Sequence, residues 1–422
     1  MQEADQLCAR STQGKSRLAS GPHMSGTLPL TYRLPRQFMV FALCAGVTYG
    51  NATVGMPLQV VASGLHVSLA GLSLALLTLG TAAGALLTAP LRNRIGSASA
   101  TLIPAAATSA TGCLLLTTPT TTATLLIGAT IAGAGGGMFW VCSQVMLSAN
   151  PSSVTYGARF LLHFAIYTAG ALLGSIVTGG FIMAVEKIGA GPAISAEASL
   201  CIGALTSIVA LLVWWLNRLA IVDTAGTVTT DWRLLTRGMT RQLSDLFLVA
   251  TLSIVALLAP LVLLGTFSFS SLAVGVTVGA IALSKILGTL IVRHAAVAVG
   301  SRVTIFIFLI AGLLISPVLA LTTAPPMFVI ALMFEVMALA GVWPLVAAAA
   351  HALTERDLRG GAAVAWNIRE YTVIALSGVA ETWLYAVSSR FAMFAAATAL
   401  LLVATMYAAC TLYSQTAIRE IP

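Results

Sequence analysis

Runs of twenty or more mostly apolar residues alternate with short polar breaks from residue 37 almost to the end of the chain. A helix rises ~1.5 Å per residue and a bilayer core is ~30 Å thick, so each run is long enough to cross it. Lipid offers no partner to backbone N–H and C=O groups, which makes a helix the expected form of every run. The expected spans are 37–61, 68–91, 98–118, 122–147, 160–185, 198–217, 246–268, 271–292, 303–323, 327–350, 362–387 and 391–413. The pattern therefore predicts an all-α membrane protein with twelve transmembrane helices. The one long break between spans, 218–245, carries Arg218, Arg233, Arg237 and Arg241, and Trp232, Leu235, Met239 and Leu243 recur there at helical spacing. It predicts a linker with an interfacial helix. The expected organisation is a polar tail over 1–35, a first half over 36–217, the linker, a second half over 246–413 and a short tail over 414–422.

The basic residues fix an expected orientation, since Lys and Arg collect on the cytoplasmic side. Arg92 and Arg94, Arg159, the four linker arginines, Arg293 and Arg302, Arg356 and Arg359, and Arg419 fall on one side of the predicted topology, with both termini. Only Lys187 and Arg390 fall on the other. Both tails are thus expected in the cytoplasm, with the chain in a bacterial inner membrane.

Composition agrees with lipid as the solvent. The 422 residues are 58% hydrophobic and 8% charged, with a mean hydropathy of +0.97, whereas soluble domains carry roughly 25% charged residues. The net charge of +8 comes from basic residues scattered singly between apolar runs, which fits membrane topology and gives no patch for a nucleic acid. The six cysteines show no C-x-x-C spacing, and five lie in apolar runs, so neither a disulfide framework nor a metal site is expected. Gly14-Lys15-Ser16 echoes the end of a phosphate loop, but Ala9 stands where the first glycine belongs and no strand precedes it. No cofactor is expected, and no enzyme motif of paired carboxylates or clustered histidines is apparent.

An internal repeat turns the composition into an architecture. Gly71 and Gly275, Gly84 and Gly288, Gly96 and Gly300, Gly157 and Gly361, and Gly174 and Gly378 are each 204 residues apart. The same offset pairs Leu86 with Leu290, Ser97 with Ser301, Tyr167 with Tyr371 and Thr168 with Thr372. It lays span two on span eight and span five on span eleven, as duplication of a six-helix unit would.

Two six-helix halves joined by a basic linker resemble the major facilitator superfamily. The loop after span two is similar to that family's G-P-L-x-D-R-x-G signature, reading Ala89-Pro90-Leu91-Arg92-Asn93-Arg94-Ile95-Gly96. The first glycine and the acidic residue are replaced. By this resemblance Arg92, Asn93, Arg94 and Gly96 form a gating loop with Glu370 on neighbouring span eleven, which either partners Arg92 or Arg94, or pairs with adjacent Arg369 or only meets water. Span five resembles the antiporter motif in its glycines, Gly170, Gly174, Gly179 and Gly180, but Ile176 stands in place of proline. Small-xxx-small spacing permits close helix approach, so packing is the simpler role for these glycines.

The resemblance implies a midplane cavity lined by spans one, four, seven and ten, each of which holds a helix breaker: Pro57, Gly135–Gly137, Pro260 and Pro344. Lys285 and Glu335 are the sharpest chemical candidates, because a mid-bilayer charge costs at least ~2.5–3.5 kcal/mol unless paired or hydrated. Lys285 lies eight residues before Arg293 and Glu335 nine after Pro326, placing their depths within ~5 Å of each other. They are expected either as a coupling or substrate site or as a structural ion pair. As a proton site, Glu335 would alternate between a neutral acid favoured by burial and a carboxylate favoured by Lys285. Tyr49, Asn51, Gln59, Trp140, Gln144, Trp343 and Tyr371 are the candidate cavity residues. Glu381 is expected at the membrane interface and His163 as a hydrogen-bonded packing residue.

These readings lead to a monomeric secondary active transporter that moves a small, partly apolar organic solute by alternating access, coupled to protons, with a tilt to export. Proton-coupled import of a metabolite or metal chelate, and a transport-fold sensor that moves nothing, are the alternatives.

Overall fold

The computed structural model describes residues 36–148, 153–217, 248–251, 258–352 and 359–414, and every regular element among them is helical. The first half contains α1 (Arg36–Ala62), α2 (Ser68–Ile95), α3 (Ala98–Leu116), α4 (Thr122–Ser148), α5 (Ser153–Lys187), α6 (Pro192–Ser199) and α7 (Cys201–Asn217). The second contains α8 (Ala259–Gly265), α9 (Ser271–Val299), α10 (Ser301–Leu321), α11 (Pro325–Ala352), α12 (Arg359–Val387) and α13 (Arg390–Ser414). Among the described residues, ten stretches are long and apolar enough to cross a membrane, α6 and α7 together forming one of them. The eleventh expected span, α12, is as long as the others but more polar, holding Asn367, Arg369, Glu370 and Glu381. The seventh is described at 248–251 and 258–268, the latter holding α8. The 218–245 linker, the tails and Arg356 lie outside the described residues.

Span six departs from one continuous helix by breaking at Leu200, between α6 and α7. Asn51 explains how the break is tolerated. Its Nδ2 donates to the Ser199 carbonyl at 2.9 Å, and the Gly203 N–H donates to its Oδ1 at 3.0 Å, so one amide from α1 is inserted where a helical hydrogen bond would run. Nδ2 also donates to Thr178 at 2.7 Å, tying in α5.

The ends at which α2, α5 and α9 carry Arg92, Arg159 and Arg293 form one basic end of the bundle. There α2 closes on Gly96 in the left-handed region (φ 82°), and Ser97 caps α3 by accepting from the Ala100 N–H at 3.3 Å. Gly300, with φ 86° but ψ 148°, both ends α9 and begins α10, so the repeat keeps a positive-φ glycine at this junction while the backbone leaves it in a different direction.

Several of the other repeated glycines mark helix crossings. Gly84 lies with no room for a Cβ against the Ala134 carbonyl of α4, and Gly288 is set the same way against Met337 of α11. Each half thus packs its second helix on its fourth through a duplicated glycine. Gly71 sits against Thr382 of α12 and Gly275 against Ser175 and Gly179 of α5, which are the crossings between halves. Accordingly α2 packs on α12 and α9 on α5. Gly170 and Gly174 rest on the Leu43 and Val47 carbonyls of α1, the close approach that small residues permit.

Candidate functional site

A cavity of about 210 Å³ lies at mid-length between the halves. Toward the basic end it is followed by an apolar cluster that includes Phe38, Leu102, Val145, Val364 and Trp366, and toward the opposite end by one that includes Met56, Leu116, Leu261 and Phe328. Both halves contribute to each cluster. Across the basic end Asn367 of α12 donates to Gln144 of α4 at 2.9 Å, and the Trp343 ring of α11 lies 5.3 Å from Phe164 and 5.9 Å from Phe160 of α5.

Aromatic side chains make the cavity walls. Trp140 meets Tyr167 edge to face at 4.7 Å between centroids, and Tyr49 adds a third ring 5.9 Å from Tyr167. Trp343 and Tyr371 line the cavity from the second half. Tyr167 and Tyr371, equivalent by the repeat, therefore face one space from two directions. Tyr167, Phe139 and Phe164 were not among the sequence candidates, although the match of Tyr167 with Tyr371 at offset 204 was a signal for the first of them. Thr48, Thr78, Thr81, Ser109 and Ser207 add hydroxyls from the first half. Of the Gly135–Gly137 run only Gly136 has open space, with Thr81 the sole neighbour at 3.9 Å, while Gly135 and Gly137 are pressed against α3 and α2.

The amides expected in the cavity are elsewhere. Asn51 is fully buried in the α6–α7 break described above. Gln59 donates to the Leu116 carbonyl and the Thr120 hydroxyl, both at 2.8 Å, and Thr120 in turn donates to Glu197 at 2.7 Å. Gln144 accepts from Asn367 on the basic-end side of the cavity. In each case unpaired polar atoms or backbone groups nearby claim the amide, because a buried donor or acceptor left alone costs roughly 1–3 kcal/mol.

Lys285 and Glu335 are not paired. Lys285 of α9 is half-buried and lines the cavity. Glu335 of α11 is fully buried outside it, neither carboxyl oxygen has a hydrogen-bond partner among the described residues, and the Ser316 hydroxyl beside it is engaged with Thr398 at 2.8 Å. The depths inferred from residue counts match, but their facing differs: Glu335 projects into the packing of the second half. Glu381, expected at the interface, is 3% exposed, with both oxygens unpartnered among the described residues. It lies seven residues after the cavity-lining Ile374, hence on the same face of α12. His163 is packed but without hydrogen bonds from either nitrogen to the described residues, its ring stacked 5.0 Å from Phe38 and set against Phe139 and Trp140.

In the gating loop Arg92 is buried under the last turn of α2, whereas Asn93, Arg94 and Gly96 are exposed. Glu370 lines the cavity rather than the surface of the basic end.

Comparison with known proteins places this geometry. Residues 38–238 match the family model described as Major Facilitator Superfamily. No curated protein matches the chain in sequence. Among solved structures, a POT family transporter in complex with a thioalcohol conjugated peptide superimposes with a TM-score of 0.70 at 12% identity, over 90% of this chain and 95% of that one. The nucleoside transporter NupG gives 0.64 at 12% identity, over 89% and 98%. The E. coli fucose:proton symporter FucP gives 0.64 at 12% identity, over 92% and 99%.

Proposed function

We propose that this chain, a multi-pass membrane protein with the fold of the major facilitator superfamily, is a secondary active transporter that carries a small, partly apolar organic solute by alternating access. The observation that carries the reading is the mid-length cavity bounded at both ends by apolar contacts between the halves. Such contacts can be broken at one end while the other holds, exposing the same site to either side in turn. The volume of about 210 Å³ is below the ~300–1,000 Å³ common for drug-sized ligands, and favours a small metabolite. Aromatic faces with scattered hydroxyls suit a solute with an apolar body and a few polar groups.

Proton coupling is part of the proposal. An unpartnered carboxylate in the membrane interior costs several kcal/mol, and a bound proton removes that cost. Glu335 and Glu381 meet this description. Export is the proposed direction, on the likeness of the α5 glycine pattern to the antiporter motif alone.

The test is purified protein in proteoliposomes with an imposed pH gradient, screened against small organic acids, amines, sugars and nucleosides. Accumulation of one class that collapses with a protonophore is the expected result. Binding of a solute with no flux in either direction would move the reading to the transport-fold sensor.

A further inference from the structure

The charge inventory of the cavity points to the kind of solute it accepts. Among the described residues, Lys285 and Glu370 are the charged side chains that line it. Glu370 is already engaged by other groups of the protein. Burial alone acts on the Lys285 ammonium, with no acid beside it among the described residues, and Glu335, the buried acid of the neighbouring helix, lies outside the cavity lining. Glu381 is likewise outside the cavity lining.

An ammonium inside a membrane-spanning bundle is costly to leave alone, and lysines in such places are found paired or hydrated. In an empty cavity water serves. A ligand that displaces this water must replace what the water gave, or binding is penalised. Neutral solutes offer a weak replacement and cationic ones add repulsion, whereas an anionic group supplies the missing counter-charge in an environment where charge-assisted hydrogen bonds are strong. The rings of Tyr49, Trp140, Tyr167, Trp343 and Tyr371 line the rest of the site and suit a planar or apolar body.

We infer that the cavity binds amphipathic organic monoanions, a carboxylate on an aromatic or similarly apolar body, with Lys285 holding the anionic group. This deepens the transporter reading and rests on it only for the solute's fate, since binding is measurable without transport.

The experiment uses the full chain in detergent and three carboxylates, benzoate, phenylacetate and indole-3-acetate, each beside its neutral amide, with benzylamine as the cation. Binding is read by thermal stabilisation, with isothermal calorimetry as a second readout. At least one acid should bind ten times or more tighter than its amide, and benzylamine should not bind. In Lys285→Gln that acid should lose at least tenfold in affinity and fall to the level of the amide, while Lys285→Arg keeps most of it. Retained amide binding by Lys285→Gln shows that the variant is folded. Amides or benzylamine binding as tightly as the acids, no acid binding at all, or Lys285→Gln binding the acid unchanged would each overturn the inference. Acid binding without flux in proteoliposomes would instead count against the transporter reading alone.

Discussion

The Nδ2 of Asn367 on α12 donates to the Oε1 of Gln144 on α4 at 2.9 Å, a buried hydrogen bond that joins the two halves on the basic-end side of the cavity. Asn367 also donates to the Ala363 carbonyl one turn back at 2.7 Å, so its amide is fixed before it reaches across. On the alternating-access reading proposed above, opening the basic end parts α12 from α4 and breaks this bond, which makes it part of the balance between the two access states.

Replacing Asn367 with Ala should therefore favour opening at the basic end. A buried hydrogen bond contributes ~0.5–1.5 kcal/mol net, which corresponds to a shift of about two- to tenfold in a two-state population. Spin-label distances across α4 and α12 should lengthen in the variant, with the opposite end unchanged. Identical distance distributions in the two proteins would remove this bond from the gate.

Asn51 gives a prediction of a different kind. Its amide stands in for the hydrogen bond lost where α6 and α7 break, so Asn51→Leu leaves the Ser199 carbonyl and the Gly203 N–H buried and alone. Each orphaned group costs roughly 1–3 kcal/mol, and a clear fall in melting temperature is expected. The preference among bound solutes should stay as it was, because Asn51 is not on the cavity wall. A change in selectivity with normal stability would return Asn51 to the site.

What the sequence made legible, and what it did not, follow from the same property of lipid. Span lengths and the basic end were readable because a helix must be apolar for ~20 residues to cross and charges must stay out. The repeat was readable because glycines at helix crossings such as Gly84 against Ala134 admit no side chain, so both copies of the unit retained them. Facing was not readable. A helix apolar on every side carries no stripe that distinguishes neighbour, lipid and cavity. Asn51, Gln59 and Gln144 looked like cavity polar groups for that reason, and turned out to satisfy backbone and side-chain partners in helix packing. Lys285 and Glu335 were placed at compatible depths by counting residues, but depth says nothing about which side of a helix a residue occupies.

The two buried carboxyls can be separated by experiment. Glu335 is fully enclosed in the second half, whereas Glu381 lies on the α12 face that carries Ile374 in the cavity wall. A group that exchanges protons with water must be reached by water in at least one access state, and Glu381 is nearer the space that opens. Glu381→Gln keeps the shape and removes the exchangeable proton. It should cut uptake driven by a pH gradient at least tenfold while leaving solute exchange at equal pH within about twofold, a pattern that loss of fold would not produce. Glu335→Gln should instead leave gradient-driven uptake largely intact and show its effect in thermal stability, since a neutral amide needs no proton to sit in that packing. If Glu335→Gln uncouples transport and Glu381→Gln does not, the proton site belongs to α11 and its access to water must come from a rearrangement within the second half.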